Sequence, residues 1–161
     1  MPEHYLFPGH IFAHREPHIV TTVLGSCVSV CLWDQVRRMG GINHYMLPLW
    51  NGEGLASPKY GTIAIPRLIE IMIELGSNRA DLVAKVFGGG DILRVTNGIM
   101  NVGQRNVEFG LKALADEGIM IIASSVRGNQ GRKLMFDTGA GTVLMKKLQQ
   151  VSGTVDLAAM E

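Results

Sequence analysis

The sequence is poor in cysteine, in aromatic residues and in charge of either sign. Two cysteines among 161 residues make no disulfide framework, and Cys27 and Cys31 are badly spaced to bridge along one extended segment. A net charge of +1, with basic residues scattered or merely paired, argues against nucleic acid and anionic membrane surfaces as partners. No apolar run reaches the roughly 18 residues of a membrane helix, and the N-terminus shows no secretory signal. These absences predict a cytoplasmic protein with free thiols and no membrane insertion.

What the sequence does contain is enough apolar residues for one core. Hydrophobic residues make up 47% and charged residues 18%, which fits a single domain over residues 1–161. Amphipathic spacing predicts helices over 62–75 and 107–115, the second capped by Asn106. Residues 149–161 resemble a flexible tail. Strands outnumber helices without regular alternation, so the prediction is an α+β fold rather than a doubly wound sheet.

The strand predictions rest on short β-branched or alternating runs bounded by turn residues. They cover residues 18–25, 28–34, 41–47, 82–87, 119–123, 133–136 and 142–146, and the last two form a hairpin around DTGAG.

Cys27 and His44 each interrupt an apolar stretch, in VTTVLGSCVSVCLWD and GGINHYMLP. A cysteine becomes a nucleophile when a partner, usually histidine, removes its proton. No histidine follows residue 44, which excludes a papain-like arrangement. Two buried residues that merely pack remain the alternative at this point. Cys31, between Val30 and Leu32, is predicted to be a core residue.

Two further motifs carry weaker signals. His10, His14 and His18 recur every four residues, a spacing that would suit a metal on a helix, but two nearby prolines argue against a helix there. The glycines at 88–90 lack the Lys-Ser/Thr ending of a P-loop and the spacing of a dinucleotide fingerprint. We therefore predict neither a metal nor an organic cofactor.

Six segments, in order across most of the chain, resemble the CheD family of chemoreceptor glutamine deamidases. They are TTVLGSCVSVCLWD (21–34), GGINHYMLP (40–48), KYGTIAIPRLI (59–69), AKVFGGGDIL (84–93), NVGQRNVEF (101–109) and GRKLMFDTGAGTVLMKKL (131–148). The combination of LGSC with GGINHYMLP is far more specific than any single motif. The resemblance implies layered mixed β-sheets flanked by helices, as in the cytotoxic-necrotising-factor deamidases.

The resemblance also implies a catalytic site. Cys27 falls on the nucleophile of the family and His44 on its base. The third residue is Thr21, with the adjacent Thr22 as the alternative assignment. Backbone N–H groups around Ser26 and Cys27 are the expected oxyanion donors.

The implied activity is conversion of glutamine side chains of methyl-accepting chemotaxis receptors to glutamate, with release of ammonia through a cysteine thioester. The same route would accept a glutamyl methyl ester. Implied partners are the helical cytoplasmic domain of the receptor and a CheC-type phosphatase. A module that chiefly binds CheC, and a hydrolase of small free amides, are the alternative functions.

Overall fold

The computed structural model describes residues 1–92 and 101–149. Residues 150–161 of the predicted tail lie outside the described residues. The described part contains nine strands, two α-helices and a short 3₁₀ helix at Arg79–Asp81. In chain order the main elements are β1 (Glu3–Tyr5), β2 (Ile11–His14), β3 (Ile19–Leu24), β4 (Val28–Asp34), β5 (Met39–Asn43), α1 (Gly61–Glu74), β6 (Leu82–Gly88), α2 (Val102–Asp116), β7 (Met120–Val126), β8 (Arg132–Asp137) and β9 (Val143–Lys147).

The strands form two mixed sheets. Sheet A has the strand order β1-β3-β8-β9, and sheet B has the order β2-β5-β4-β6-β7. The pairs β1–β3 and β6–β7 are parallel, and the remaining pairs are antiparallel. Strand β3 alternates between half-buried and buried residues, so one of its faces packs on sheet B while the other faces outward.

Two apolar cores hold these layers together. Between the sheets, residues of sheet A such as Val20 and Phe136 meet Cys31, Ile42 and Phe87 of sheet B. On the other face of sheet B, apolar side chains of β4 and β6 pack against α1 and α2. The order of layers is therefore sheet A, sheet B, helices, and the space between the sheets is where inward side chains of β3, β4 and β5 converge.

The α+β prediction is confirmed at the level of two mixed sheets flanked by helices. The predicted hairpin is confirmed as the antiparallel pair β8–β9, and the first helix as α1. The start of the second helix was predicted five residues too far along the chain, because the helix begins at Val102 rather than Val107. Its N-cap is Asn101, whose side chain accepts from the Gln104 backbone in a capping box, and Asn106 lies inside the helix. Neither described α-helix has the length and apolar character needed to cross a membrane.

Candidate active site

Cys27 lies in the turn between β3 and β4, with its side chain half-buried at the edge of the core between the sheets. Cys31, four residues further along the chain, is only 2% exposed and belongs to that core. This confirms the prediction that Cys31 is a core residue. Both thiols are free. The chain therefore presents one thiol at an accessible turn and encloses the other.

The turn around Cys27 is held by the glycines at the end of β6. Gly89 N–H donates to the Cys27 carbonyl at 2.9 Å, and Gly90 N–H donates to the Gly25 carbonyl at 3.0 Å. Gly88 has a φ of +111°, and a Cβ there would collide with the Cys27 carbonyl. The Gly88-Gly89-Gly90 run thus lets one backbone approach another closely, beside the nucleophile candidate.

His44 lies directly after β5, which ends at Asn43 rather than continuing through the histidine as predicted. Its N–H donates to the His10 carbonyl at 3.2 Å, and its carbonyl accepts from Gly9 N–H at 2.8 Å. With a relative exposure of 1%, His44 is almost fully enclosed. These bonds fix the backbone from which the imidazole projects.

The pairing of the two chain segments brings Cys27 and His44 to the same face. Val28 and Tyr45 form an antiparallel bridge, and both of their side chains join the core on the helix side. Alternation along each segment turns the preceding residues, Cys27 and His44, to the opposite face, toward sheet A. Diagonal neighbours of this kind have Cβ atoms within about 7 Å. Within the described residues no hydrogen bond yet joins thiol and imidazole, a common state before substrate binds.

Thr22 determines which nitrogen of the neutral His44 ring carries the proton. The Thr22 hydroxyl donates to the Leu6 carbonyl at 2.8 Å, and its Oγ1 lies 2.7 Å from His44 Nδ1. A hydroxyl has one proton to donate, and the carbonyl can only accept it. Nδ1 must therefore carry the proton that is donated to Thr22. The lone pair of the neutral ring is then on Nε2, as a base requires.

The contact predicted for Thr21 is made by Thr22. Along β3, Val20, Thr22 and Leu24 are buried toward sheet B, whereas Thr21 is half-buried on the other face. Because adjacent residues of a strand point to opposite faces, Thr21 cannot share the surroundings of His44. The structure thus brings together Cys27, His44 and Thr22, and leaves Thr21 apart from them.

Burial favours the neutral forms of the Cys27 thiol and the His44 imidazole. Desolvation raises the pKa of the Cys27 thiol to about 11 and lowers the pKa of His44 to about 4. In both cases a low-dielectric environment disfavours the charged form. At neutral pH the pair is therefore a thiol beside an uncharged imidazole, which suits proton transfer during attack better than a preformed ion pair.

Asn106, predicted as a helix cap in a polar cluster that could also border a site, contacts both segments of the site. Its side-chain amide donates to the Ser26 carbonyl at 2.9 Å and to the Met46 carbonyl at 3.0 Å. The signal that could have placed it in the helix is the pair Asn101 and Gln104, three apart, which is the spacing of a capping box.

The arrangement suits acyl transfer by a cysteine. A half-buried thiol has a nearby base of fixed tautomer, and the base has a hydroxyl that orients it, which is the general pattern of an activated nucleophile. In the described part of the chain, no group of three or more His, Cys, Asp or Glu side chains is placed to hold a metal ion.

Comparison with known proteins gives one consistent family. Residues 46–147 match the family described as CheD chemotactic sensory transduction. A probable chemoreceptor glutamine deamidase CheD of Trichlorobacter lovleyi is 47% identical over 148 residues, which cover 92% of each chain. Its counterpart in Sulfurimonas denitrificans is 44% identical over 148 residues, covering 91% of this chain and 94% of the relative. A third, CheD 1 of Anaeromyxobacter dehalogenans, is 43% identical and covers 89% of this chain and 84% of its own. The resemblance noted in the sequence is confirmed, and the chain belongs to the CheD family.

Proposed function

We propose that this protein deamidates glutamine side chains of chemoreceptors, with Cys27 as nucleophile, His44 as general base and Thr22 as the group that orients His44. The observation that carries this assignment is the chain of contacts from Leu6 through Thr22 to His44. It leaves Nε2 as the basic nitrogen, on the face of sheet B that also bears the Cys27 side chain. The family relatives bear the same activity in their names.

The first half of the reaction replaces the amide by a thioester. As Cys27 Sγ attacks the carboxamide carbon of the substrate glutamine, its proton passes to His44 Nε2. The carbonyl oxygen takes the negative charge of the tetrahedral intermediate. Collapse of that intermediate breaks the C–N bond, and His44 returns the proton to the departing ammonia.

The second half regenerates the enzyme. Water gives a proton to His44 Nε2 while its oxygen attacks the thioester carbon. The C–S bond then breaks, His44 returns that proton to Cys27 Sγ, and the glutamate side chain is released. The sum is glutamine plus water to glutamate plus ammonia, with no redox step and no cofactor. A glutamyl methyl ester would enter the same sequence with methanol as the leaving group.

A protein substrate fits the surroundings of His44 better than a small free amide. The segment that hydrogen-bonds to His44 also carries Phe7, 58% exposed, and follows Tyr5, 45% exposed. The two rings contact each other in an edge arrangement, with centroids 5.0 Å apart. Exposed aromatic side chains on the segment that hydrogen-bonds to His44 can hold an apolar helix face. The substrate proposed is therefore a helix of the receptor cytoplasmic domain, met in the cytoplasm.

Two further proposals come from the family resemblance. The layered mixed sheets are compatible with kinship to the cytotoxic-necrotising-factor deamidases. A CheC-type phosphatase is proposed as a second partner, and a chain that only binds CheC is the rival function. Retained CheC binding in Cys27→Ala, with loss of deamidation, would separate the two roles.

The decisive experiment follows the mass of receptor peptides. Wild type, Cys27→Ala and Cys31→Val are each incubated with a folded receptor cytoplasmic fragment. Each glutamine converted to glutamate by this chemistry adds about 1 Da. We expect the increase with wild type and Cys31→Val and not with Cys27→Ala.

The pair of cysteine variants makes the result specific. Cys31→Val replaces a core thiol by a side chain of similar size, so it controls for loss of a cysteine as such. Conversion by Cys27→Ala at the wild-type rate would remove Cys27 as nucleophile. Conversion of free glutamine in place of receptor peptides would favour the small-amide hydrolase.

A further inference from the structure

Asn106 joins the two segments that carry the reactive side chains. Its amide nitrogen donates to the carbonyl of Ser26, one residue before Cys27, and to the carbonyl of Met46, two residues after His44. The residue is completely buried. Both donor protons are used, and rotating the amide would set its oxygen against two carbonyls, so this orientation is fixed. One side chain of α2 thus sets the spacing of both segments.

The bond to Ser26 completes the set of hydrogen bonds that hold the turn of residues 25–27 by its carbonyl groups. Three successive carbonyls are held there: Gly25 by Gly90 N–H, Ser26 by Asn106 and Cys27 by Gly89 N–H. In a planar trans peptide the C=O and the following N–H point in opposite directions. Because the Ser26 carbonyl points toward α2, the Cys27 N–H points away from it. That is the side of sheet B on which the Cys27 thiol and His44 lie.

The N–H groups opposite the Gly25 and Ser26 carbonyls belong to Ser26 and Cys27, whereas Val28 N–H, opposite the Cys27 carbonyl, donates to the Tyr45 carbonyl at 3.1 Å. Among the hydrogen bonds of the described residues, neither Ser26 N–H nor Cys27 N–H donates to a protein acceptor. Unengaged backbone donors next to a nucleophile are what a developing oxyanion requires. Their direction depends on the carbonyls behind them, and only the Ser26 carbonyl is held by a side chain.

We propose that Asn106 is a positioning residue for the deamidation, which holds the Ser26–Cys27 peptide so that the Cys27 N–H faces the oxyanion of the tetrahedral intermediate. This inference rests on the proposed function. Asn106 contacts no reacting atom, and it acts through the peptide that it holds. Its second bond, to Met46, keeps the segment of His44 at a constant distance from that peptide.

The test compares turnover with simple alkylation of the same thiol. Alkylation of Cys27 by iodoacetamide passes through no oxyanion, whereas deamidation does. In Asn106→Asp, of equal size, oxygen replaces the donating nitrogen. We expect kcat for receptor deamidation to fall at least about 10-fold, toward the 10²-fold that the loss of an oxyanion donor costs. KM and the Cys27 alkylation rate should stay within about threefold, because the lost interaction strengthens only in the transition state.

Tyr45→Phe is the matched stability control. The Tyr45 hydroxyl donates to the Asn106 backbone carbonyl at 2.6 Å, so its removal loses a buried bond to the same residue and leaves the amide untouched. We expect Tyr45→Phe to melt at a lower temperature and to keep its kcat. Asn106→Ala serves as the second variant, and all assays run below the melting transition of each protein.

Two results would overturn the proposal. One is a kcat within threefold of wild type in both Asn106 variants. The other is that kcat and the alkylation rate fall equally in the Asn106 variants, in proportion to the loss of melting temperature, and that Tyr45→Phe behaves in the same way. That result would mean that Asn106 has a purely structural role. Failure of the proposed function itself would look different, since wild type would then release no ammonia from the receptor.

Discussion

At the scale of single residues, the position of one hydroxyl decides which nitrogen of His44 is basic. The Thr22 hydroxyl donates a hydrogen bond to the Leu6 carbonyl and accepts one from His44 Nδ1–H, so a backbone carbonyl of the N-terminal segment indirectly sets the tautomer. Without these two hydrogen bonds the ring could present an N–H, rather than a lone pair, to the thiol. The effect is one of orientation, because burial rather than Thr22 is the cause of the lowered His44 pKa.

The two adjacent threonines give a matched pair of variants. Thr22→Val keeps the side-chain shape but removes the acceptor for His44 Nδ1–H, so we expect kcat/KM for deamidation to fall by about 10- to 100-fold. Thr21→Val, on the opposite face of β3, should stay within about threefold of wild type. The measurement is ammonia release from receptor fragment by each purified variant. A selective loss of activity in Thr21→Val would support Thr21 as the third residue of the site, as the resemblance implies.

The sequence could not separate these two threonines, for a physical reason. Both faces of β3 carry β-branched or apolar residues, with Val20 and Leu24 on one and Ile19 and Val23 on the other. A strand with no polar face gives no sign of which side is inward. Cys27 and His44 could be singled out as candidates because a thiol and an imidazole stood out in apolar runs, whereas the third contact depends on how sheet A packs on sheet B.

At the scale of elements, α2 shows why one helix was placed well and the other was not. The buried face of α1 is aliphatic, and its spacing is visible in the sequence. The buried face of α2 begins with Gly103 and Asn106 and continues with Val107, Gly110 and Leu114. Glycine and asparagine give no apolar periodicity, so the predicted helix began only at Val107 and missed the first turn of α2.

Gly103 allows α2 to approach the turn that contains Cys27. A Cβ on Gly103 would lie 2.5 Å from the Gly90 carbonyl oxygen and 2.7 Å from that of Gly89. Since Gly89 and Gly90 hold the turn of Cys27, this close approach brings Asn106 within reach of Ser26. The contact is between backbones, so a side chain there can be accommodated only by moving the helix.

Gly103→Ala should therefore destabilise the protein, although alanine favours a helix interior by about 1 kcal/mol over glycine. We expect a net loss of about 1–3 kcal/mol in the free energy of unfolding, the usual cost of overpacking. Urea titration followed by circular dichroism measures it. Arg105→Ala, at an exposed position of the same helix, should change stability by no more than about 0.5 kcal/mol. A Gly103→Ala protein as stable as wild type would mean that α2 approaches the turn less closely.

At the scale of the whole molecule, the site lies where three layers meet. Sheet A covers the face of sheet B that bears His44, and α2 on the other face holds the segments from which Cys27 and His44 project. The same enclosure that shields the imidazole from water also makes its protonation costly. The acid stability of the fold and the basicity of the site are therefore linked.

This linkage predicts how stability varies with pH. In the unfolded chain His44 titrates near its ordinary value of 6.5, whereas in the folded protein burial lowers its pKa to about 4. Between these values the unfolded state binds more protons, so stability is complete above pH 6.5 and is lost as pH falls toward 4. The difference corresponds to about 3 kcal/mol in the free energy of unfolding.

Urea titrations at pH 7.5, 6, 5 and 4.5 should show the decline in wild type and a clearly smaller one in His44→Gln. His4, whose pKa is also lowered chiefly by burial, and the carboxylates are common to both proteins, so the difference between the two curves reports His44. Parallel curves would mean that the imidazole is solvated in the folded protein, and the neutral pair inferred for catalysis would then fail with it.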